Sequence, residues 1–268
     1  MIPLPDAKGP RLRPFLRQID DIQFLRLLSS NEQYSNEVPH SRVFYVRIAD
    51  QSYALKVFNF FSLEEIRPFV PFGEHLLRNK DKIIRDQLDP FFAECRAFGR
   101  LVEEGRDDEL AVRCYGYTLL PETVERQIQT QFGITDWNRG DEDEEQPLRA
   151  IVKGYIRYKT PFNRKPFAVM RKRIEELNDL GIYNMDIRKE NYLGGRLFDF
   201  SIAITAPHLR FWTKLRFQDA IQADMKYDLE CLNEIAEEVE QQRGDDSRGS
   251  QRYDLRPRSN CNQHKKSP

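Results

Sequence analysis

Gly181-Ile-Tyr-Asn-Met-Asp-Ile-Arg-Lys-Glu-Asn-Tyr-Leu-Gly-Gly-Arg-Leu-Phe-Asp-Phe-Ser201 is the stretch on which the fold of this chain turns. The Gly194-Gly195 pair sits between two short apolar arms and predicts a tight two-residue hairpin turn. Such a turn brings Asn191, before the first arm, close to Asp199, after the second. Asp186 and Asn191 stand five residues apart, with Arg188 between them. A carboxylate that orients an attacking hydroxyl, plus a carboxylate and an amide oxygen that hold magnesium, is the set phosphoryl transfer requires. Magnesium takes hard oxygen ligands, and Asn191 and Asp199 carry them.

Outward from that stretch the pattern continues in both directions. Arg42 to Ile48 and Tyr53 to Phe58 read as strands of a hairpin with its turn at Asp50-Gln51-Ser52, which places Lys56 late in the second strand. Residues 82–104 carry a helical apolar rhythm, restarted at Asp89-Pro90 and stopped by Gly105, with Glu94 inside. Strand-like runs follow at Val112–Leu120 and Ala150–Tyr158, and between them 139–147 holds five consecutive acids read as a solvated loop. Pro166 opens a helix whose apolar face runs from Phe167 to Leu180. A last helix, Arg216 to Gln241, sets Phe217, Ile221, Met225, Leu229, Leu232 and Ile235 on one face. Residues 244–268 are too polar to bury a core and read as disordered.

Composition narrows the function classes. The 268 residues carry 42 Lys and Arg against 43 Asp and Glu, a formal charge of -1, so a bulk electrostatic nucleic-acid binder is excluded while a local basic patch is not. Mean hydropathy is -0.69, no apolar run nears a membrane span, and no secretory h-region opens the chain. The four cysteines and four histidines are scattered without metal-finger spacing, which suits reduced thiols in the nucleus or cytoplasm of a protein that is not secreted. His75, His208, Trp137 and Trp212 have no site-like spacing. Pro207, Leu209, Phe211 and Trp212 form a candidate docking patch, with Phe211 and Trp212 folded inward as the alternative.

The order strand lysine, helix glutamate, two strands, helix, Asp-x-x-x-x-Asn, hairpin, Asp-Phe-Ser resembles the protein-kinase-like superfamily over about residues 21–240. The wording Tyr53-Ala-Leu-Lys-Val-Phe-Asn-Phe-Phe, with Phe91-Phe-Ala-Glu-Cys-Arg-Ala-Phe-Gly-Arg-Leu, is similar to a fungal family named for an inner-kinetochore subunit, the Fta-two-type protein of the Sim-four complex. The superfamily resemblance implies an α+β fold. Its first part, 21–158 after an extension at 1–20, would be an antiparallel sheet with a C-helix and a hinge. An abbreviated helical lobe would occupy 159–243. It implies ATP and magnesium as cofactors, with Lys56, Glu94, Val152, Lys153 and Tyr155 around the nucleotide. Asn191 and Asp199 would hold the metal, Asp186 would act as catalytic base, and Arg188 and Asn191 would stand beside it. The departures are specific. Glu37–Ser41 contains no glycine for a phosphate-covering loop, Asn184-Met185 replaces His-Arg, Ser201 replaces glycine, and no Ala-Pro-Glu follows. Three readings stand: a divergent phosphotransferase, a pseudokinase interaction module with kinetochore-type protein partners, and a globular protein whose motif order is accidental.

Overall fold

The computed structural model describes residues 4, 8–19, 21–29, 39–66, 70, 80–157 and 167–251, with side chains to 241 in the last helix. His75 and the expected helix opening at Pro166 lie outside them. The fold is mixed α/β. Strands Gln23–Leu27 (β1), Ser41–Ile48 (β2), Gln51–Phe58 (β3), Cys114–Leu120 (β4) and Leu148–Gly154 (β5) form one antiparallel sheet in the order β1-β2-β3-β5-β4. The β2–β3 turn is Ala49-Asp50, at φ 46° and 64°, slightly earlier than the residue types alone suggested. Two successive left-handed residues give a twist that matches the strands.

Short helices Leu63–Ile66 (α1) and Lys80–Leu88 (α2) lead to Pro90–Glu103 (α3). Here Asp89 caps Phe91 N at 2.9 Å and proline takes the first turn, the expected restart. Asp107–Leu110 (α4) follows, and then a helix that the sequence pattern did not reveal, Glu122–Phe132 (α5). Its apolar stripe is only Val124, Ile128 and Phe132, too narrow to stand out among eight polar neighbours. The stripe closes the outer face of the sheet, with Trp137, over Phe44, Val46, Leu55, Ala150 and Val152. The opposite face packs Phe58, Tyr117 and Ile151 against Phe91, Cys95 and Phe98 of α3.

Residues 8–19 form a strap built into this core. Phe15 N donates to Tyr117 O at 2.8 Å and Tyr117 N to Arg13 O at 3.2 Å, while Leu12 and Phe15 are buried. The strap crosses α3 at Gly99 and β4 at Gly116, where a Cβ would meet strap backbone at 2.7 Å and 2.6 Å. The acidic stretch is partly structured: Asp141–Asp143 makes one 3-10 turn, with Asp143 buried and its carboxylate accepting from Gly140 N.

The second half holds Phe167–Asp179 (α6), Ile182–Tyr183 (β6), the ribbon Tyr192–Leu193 (β7) with Arg196–Leu197 (β8), Ile204–Thr205 (β9) and Gln218–Gln251 (α7). Strand β6 pairs with β9, and the ribbon turns at Gly194-Gly195, φ 60° and 76°. The face of α7 differs from the expected stripe. Phe217 is 88% exposed and Met225 is exposed, whereas Ile221, Asp224, Asp228, Leu232, Ile235 and Val239 are buried. The first turns of α7 meet arginines and loop amides rather than apolar side chains, so two aspartates hold the inner positions. The helix also runs through Gly244, whose cost of about 1 kcal/mol relative to alanine does not end a helix; residues 252–268 lie outside those described. Of the proposed docking patch, Leu209 is buried, Phe211 half-buried against Tyr183, and Trp212 exposed.

Gly99→Ala should push the strap off α3 and lower stability by about 1–3 kcal/mol, the cost of overpacking. Gly105→Ala, where no atom lies within 4 Å, should cost only its left-handed backbone penalty of about 1–2 kcal/mol. Urea melts of the two variants test the difference, and a larger loss at Gly105 would contradict the strap's role.

Candidate functional site

Two lysines from neighbouring strands converge on one helix carboxylate. In the β3–β5 register Ala54 stands opposite Lys153 and Lys56 opposite Ile151, so alternation turns both ammoniums to the α3 face. Lys56 Nζ donates to Glu94 Oε2 at 2.6 Å, and Lys153 Nζ donates to Glu94 Oε1 at 2.7 Å. Glu94 is wholly buried on α3. Lys56 also reaches Asp199 Oδ1 at 2.7 Å, and Lys153 reaches the Phe198 carbonyl at 2.7 Å. Two cations and two anions thus close a neutral quartet that is buried except at Asp199, its partly exposed edge. Burial alone would lower the Lys56 ammonium, but Asp199 and Glu94 outweigh it and raise it above the ordinary lysine value. For Asp199 burial pushes upward, yet Lys56, Lys153 and the Ser201 amide (2.9 Å) hold the carboxyl well below the usual range.

A second group lies beside the quartet. Phe198 N donates to Asn191 O across the ribbon, so the Gly-Gly turn does bring Asn191 back to the Asp199 segment. The Asn191 amide donates to Asp186 Oδ2 at 2.7 Å and to Asp186 O at 2.9 Å. Arg188, largely exposed, pairs with Asp186 Oδ2 at 3.0 Å. Asn184, which replaces a histidine in the resemblance, is buried and braces both halves: its amide donates to Asp199 O at 2.7 Å and its oxygen accepts from Asp186 N at 3.1 Å.

Sequence reasoning missed the residue that holds this loop. Asp228 of α7 accepts Asn184 N at 2.6 Å and Met185 N at 2.8 Å, one per carboxylate oxygen. Met185 has φ +64°, a left-handed conformation that costs an L-residue about 1–2 kcal/mol, and those two bonds fix it. Burial pushes the Asp228 carboxyl up to about 6, against the two amide bonds that favour its charge. Asp224, four residues earlier, takes Arg210 and Arg216. Two aspartates at a four-residue spacing inside an otherwise apolar stripe were the available signal.

The remaining candidates fall into two places. Tyr155 stacks on Tyr45 at 4.1 Å and 23°, and its hydroxyl accepts from Arg26 at 3.3 Å. Tyr45 stands opposite Ala54, so the stack covers the face that carries the lysines. Val152 points the other way, into the core under α5, and its side chain is not part of the group. Cys95 and Cys114 are buried with their thiols pushed up, the latter to about 12, which removes both as nucleophiles at neutral pH. Among the described residues no cluster of three or more His, Cys, Asp or Glu side chains could hold a metal ion, and no helix is long and apolar enough to cross a membrane.

Fold and site together define a mixed α/β protein in which a sheet, a helix and a hairpin loop are joined by buried charge. The chain belongs to the family of the kinetochore Sim4 complex subunit FTA2, whose sequence model matches residues 1–204. Among curated proteins there is no match. The matched span includes the strap, the quartet and the 184–199 loop, and it ends before α7.

Two outcomes follow from these contacts. Glu94→Gln strands two buried ammoniums and should cost about 3–5 kcal/mol, more than Lys153→Met, which leaves Glu94 paired to Lys56. Denaturant midpoints give the ranking, and equal losses would contradict the shared carboxylate. Asp228 binds its proton more tightly folded than unfolded, so its contribution to stability should fall as pH rises from about 4 to about 6. The difference in stability between wild type and Asp228→Asn should shrink over that window; a pH-independent difference would place the proton elsewhere.

Proposed function

We propose that this chain is a kinetochore-complex subunit that acts as a protein-binding scaffold in the nucleus, on a two-lobed protein-kinase-like frame whose cleft is closed by its own side chains. Family membership supports the kinetochore role, and the order β3 lysine, α3 glutamate, 184–191 loop and 199–201 turn supports the frame. The observation that carries the scaffold reading is Lys153. Its ammonium completes the charge balance of Glu94 and Asp199 from within, where a nucleotide-using centre would leave carboxylate charge for a metal.

The donor set fits magnesium and ATP poorly. Asp199 Oδ1 is already shared by Lys56 and Ser201 N, and Asp186 is held by Arg188 and Asn191. The Tyr45–Tyr155 stack fills cleft surface beside Ala54. The expected phosphotransferase keeps one supporting fact, the gathering of Asp186, Asn191 and Asp199 around Asn184.

Thermal melts with and without millimolar Mg-ATP separate the two. A bound nucleotide at a hundred times its Kd would add about 2.7 kcal/mol, a shift of several degrees. The expected result is no shift, and a clear rise would return the chain to the phosphotransferases. In fungal nuclei the tagged chain should also form kinetochore foci that persist in Asp186→Ala; their loss with an intact fold would count against a non-catalytic role.

A further inference from the structure

The charges of this nearly neutral chain are segregated. The strap and the sheet strands with their flanks, residues 8–19, 21–29, 39–58, 111–120 and 148–157, contain twelve Lys and Arg against two acids, Asp21 and Asp50. The buried members of that excess are accounted for, Lys56 and Lys153 by the quartet and Arg149 by Asp89. Several arginines elsewhere are paired as well, as with Arg106, Arg126, Arg139 and Arg196. At one end of the sheet they are not. Arg13, Arg17, Arg47 and Arg113 are exposed and have no carboxylate partner among the described residues.

Arg13, Arg17 and Arg113 gather around Tyr53. Its ring meets Phe15 of the strap at 5.6 Å, between Arg13 and Arg17, and Tyr115 at 5.1 Å. Arg113 lies over the Tyr115 ring at 5.4 Å. Arg17 is close enough to lower the Tyr53 hydroxyl against the upward push of burial. Arg47 stands opposite Ser52 at the β2–β3 turn and lies on the other face of the sheet, with Tyr45. Strand addition at the neighbouring edge is blocked, because Gln127 and Gln131 of α5 already donate to the Ile22 and Phe24 carbonyls of β1. Recognition here runs through side chains.

We propose that this sheet end, formed by Arg13, Arg17 and Arg113 around the Tyr53–Tyr115 pair, docks an acidic segment of a partner protein. Guanidinium groups offer fixed donor forks that match carboxylates two bonds at a time, and the half-buried Tyr115 ring gives such a segment an apolar footing. Nucleic acid is the poorer match. A duplex presents charge along its whole length, and against a chain of net charge -1 it would meet the acidic helices as well as the patch. A short acidic peptide samples the local field alone. The inference rests on the scaffold reading; its assay contains no nucleotide, so either result stands whatever the Mg-ATP melt gives.

The test is fluorescence anisotropy with the full chain, a labelled oligoglutamate peptide, and a short DNA duplex as competitor. Wild type should bind the peptide with an affinity that falls as salt rises to about 0.15 M, as exposed charge does. Arg13→Gln with Arg17→Gln and Arg113→Gln should weaken it about tenfold or more. The charge-matched control, Arg85→Gln with Arg126→Gln and Arg196→Gln, should bind as wild type. Arg17→Gln alone, at an exposed position, should weaken binding without lowering the melting temperature, which separates the effect from misfolding. No binding by wild type, equal weakening in the control, or a duplex that displaces the peptide and loses affinity with the same arginines would each overturn the proposal.

Discussion

Glu94 receives two ammonium groups at hydrogen-bond distance in a site closed to water, and the rest of the structure is arranged so that this can happen. A buried carboxylate or ammonium without a partner costs several kcal/mol, so each charge fixes the position of the next. Lys56 and Lys153 require β3 and β5 to be neighbours in a particular register. Glu94 requires α3 to present one turn of its helix to that pair. Asp199 and the Phe198 carbonyl require the loop after the ribbon to arrive on the other side. Four segments far apart in the chain are thereby held together at hydrogen-bond distance.

Supports for α3 come from outside the quartet. The strap presses on it at Gly99, and Arg96 and Arg100 reach from it to the Thr205, Ala206 and Pro207 carbonyls. Carbonyl oxygens accept from both guanidinium groups and anchor the 205–207 segment to the helix. Asp228 supplies the matching restraint from α7, which keeps the 184–186 backbone in a conformation an L-residue resists.

On the proposed scaffold reading, a centre that is neutral by itself offers little charge to a metal–nucleotide guest and gives an interaction subunit a fixed frame. The same pairing logic, applied over the surface, leaves exposed arginines of the strap and sheet end without a carboxylate among the described residues. Rigid core and open basic end are then two consequences of where the acids were placed: on helices and in the quartet, not on the strands.

Much of the frame could be read from residue types, because local chemistry wrote it. Two glycines allow the 194–195 turn, Asp89-Pro90 caps and starts α3, and alternation marks β2 and β3. Lys56, Glu94, Asp186, Asn191 and Asp199 were legible as a set through their order. Helix α5 was not, since a three-residue apolar stripe becomes meaningful only when a sheet face lies beneath it. Nor were the partners of Lys153 and Asp228. By sequence, Lys153 is one strand residue next to Val152, and which of the two meets Glu94 depends on the register of β3 against β5. Asp228 interrupts an apolar helix face for no local reason; its reason is a pair of amide groups forty-four and forty-three residues earlier. Hydrogen bonds and ion pairs act over about three ångströms, so only the folded chain decides which distant charges meet.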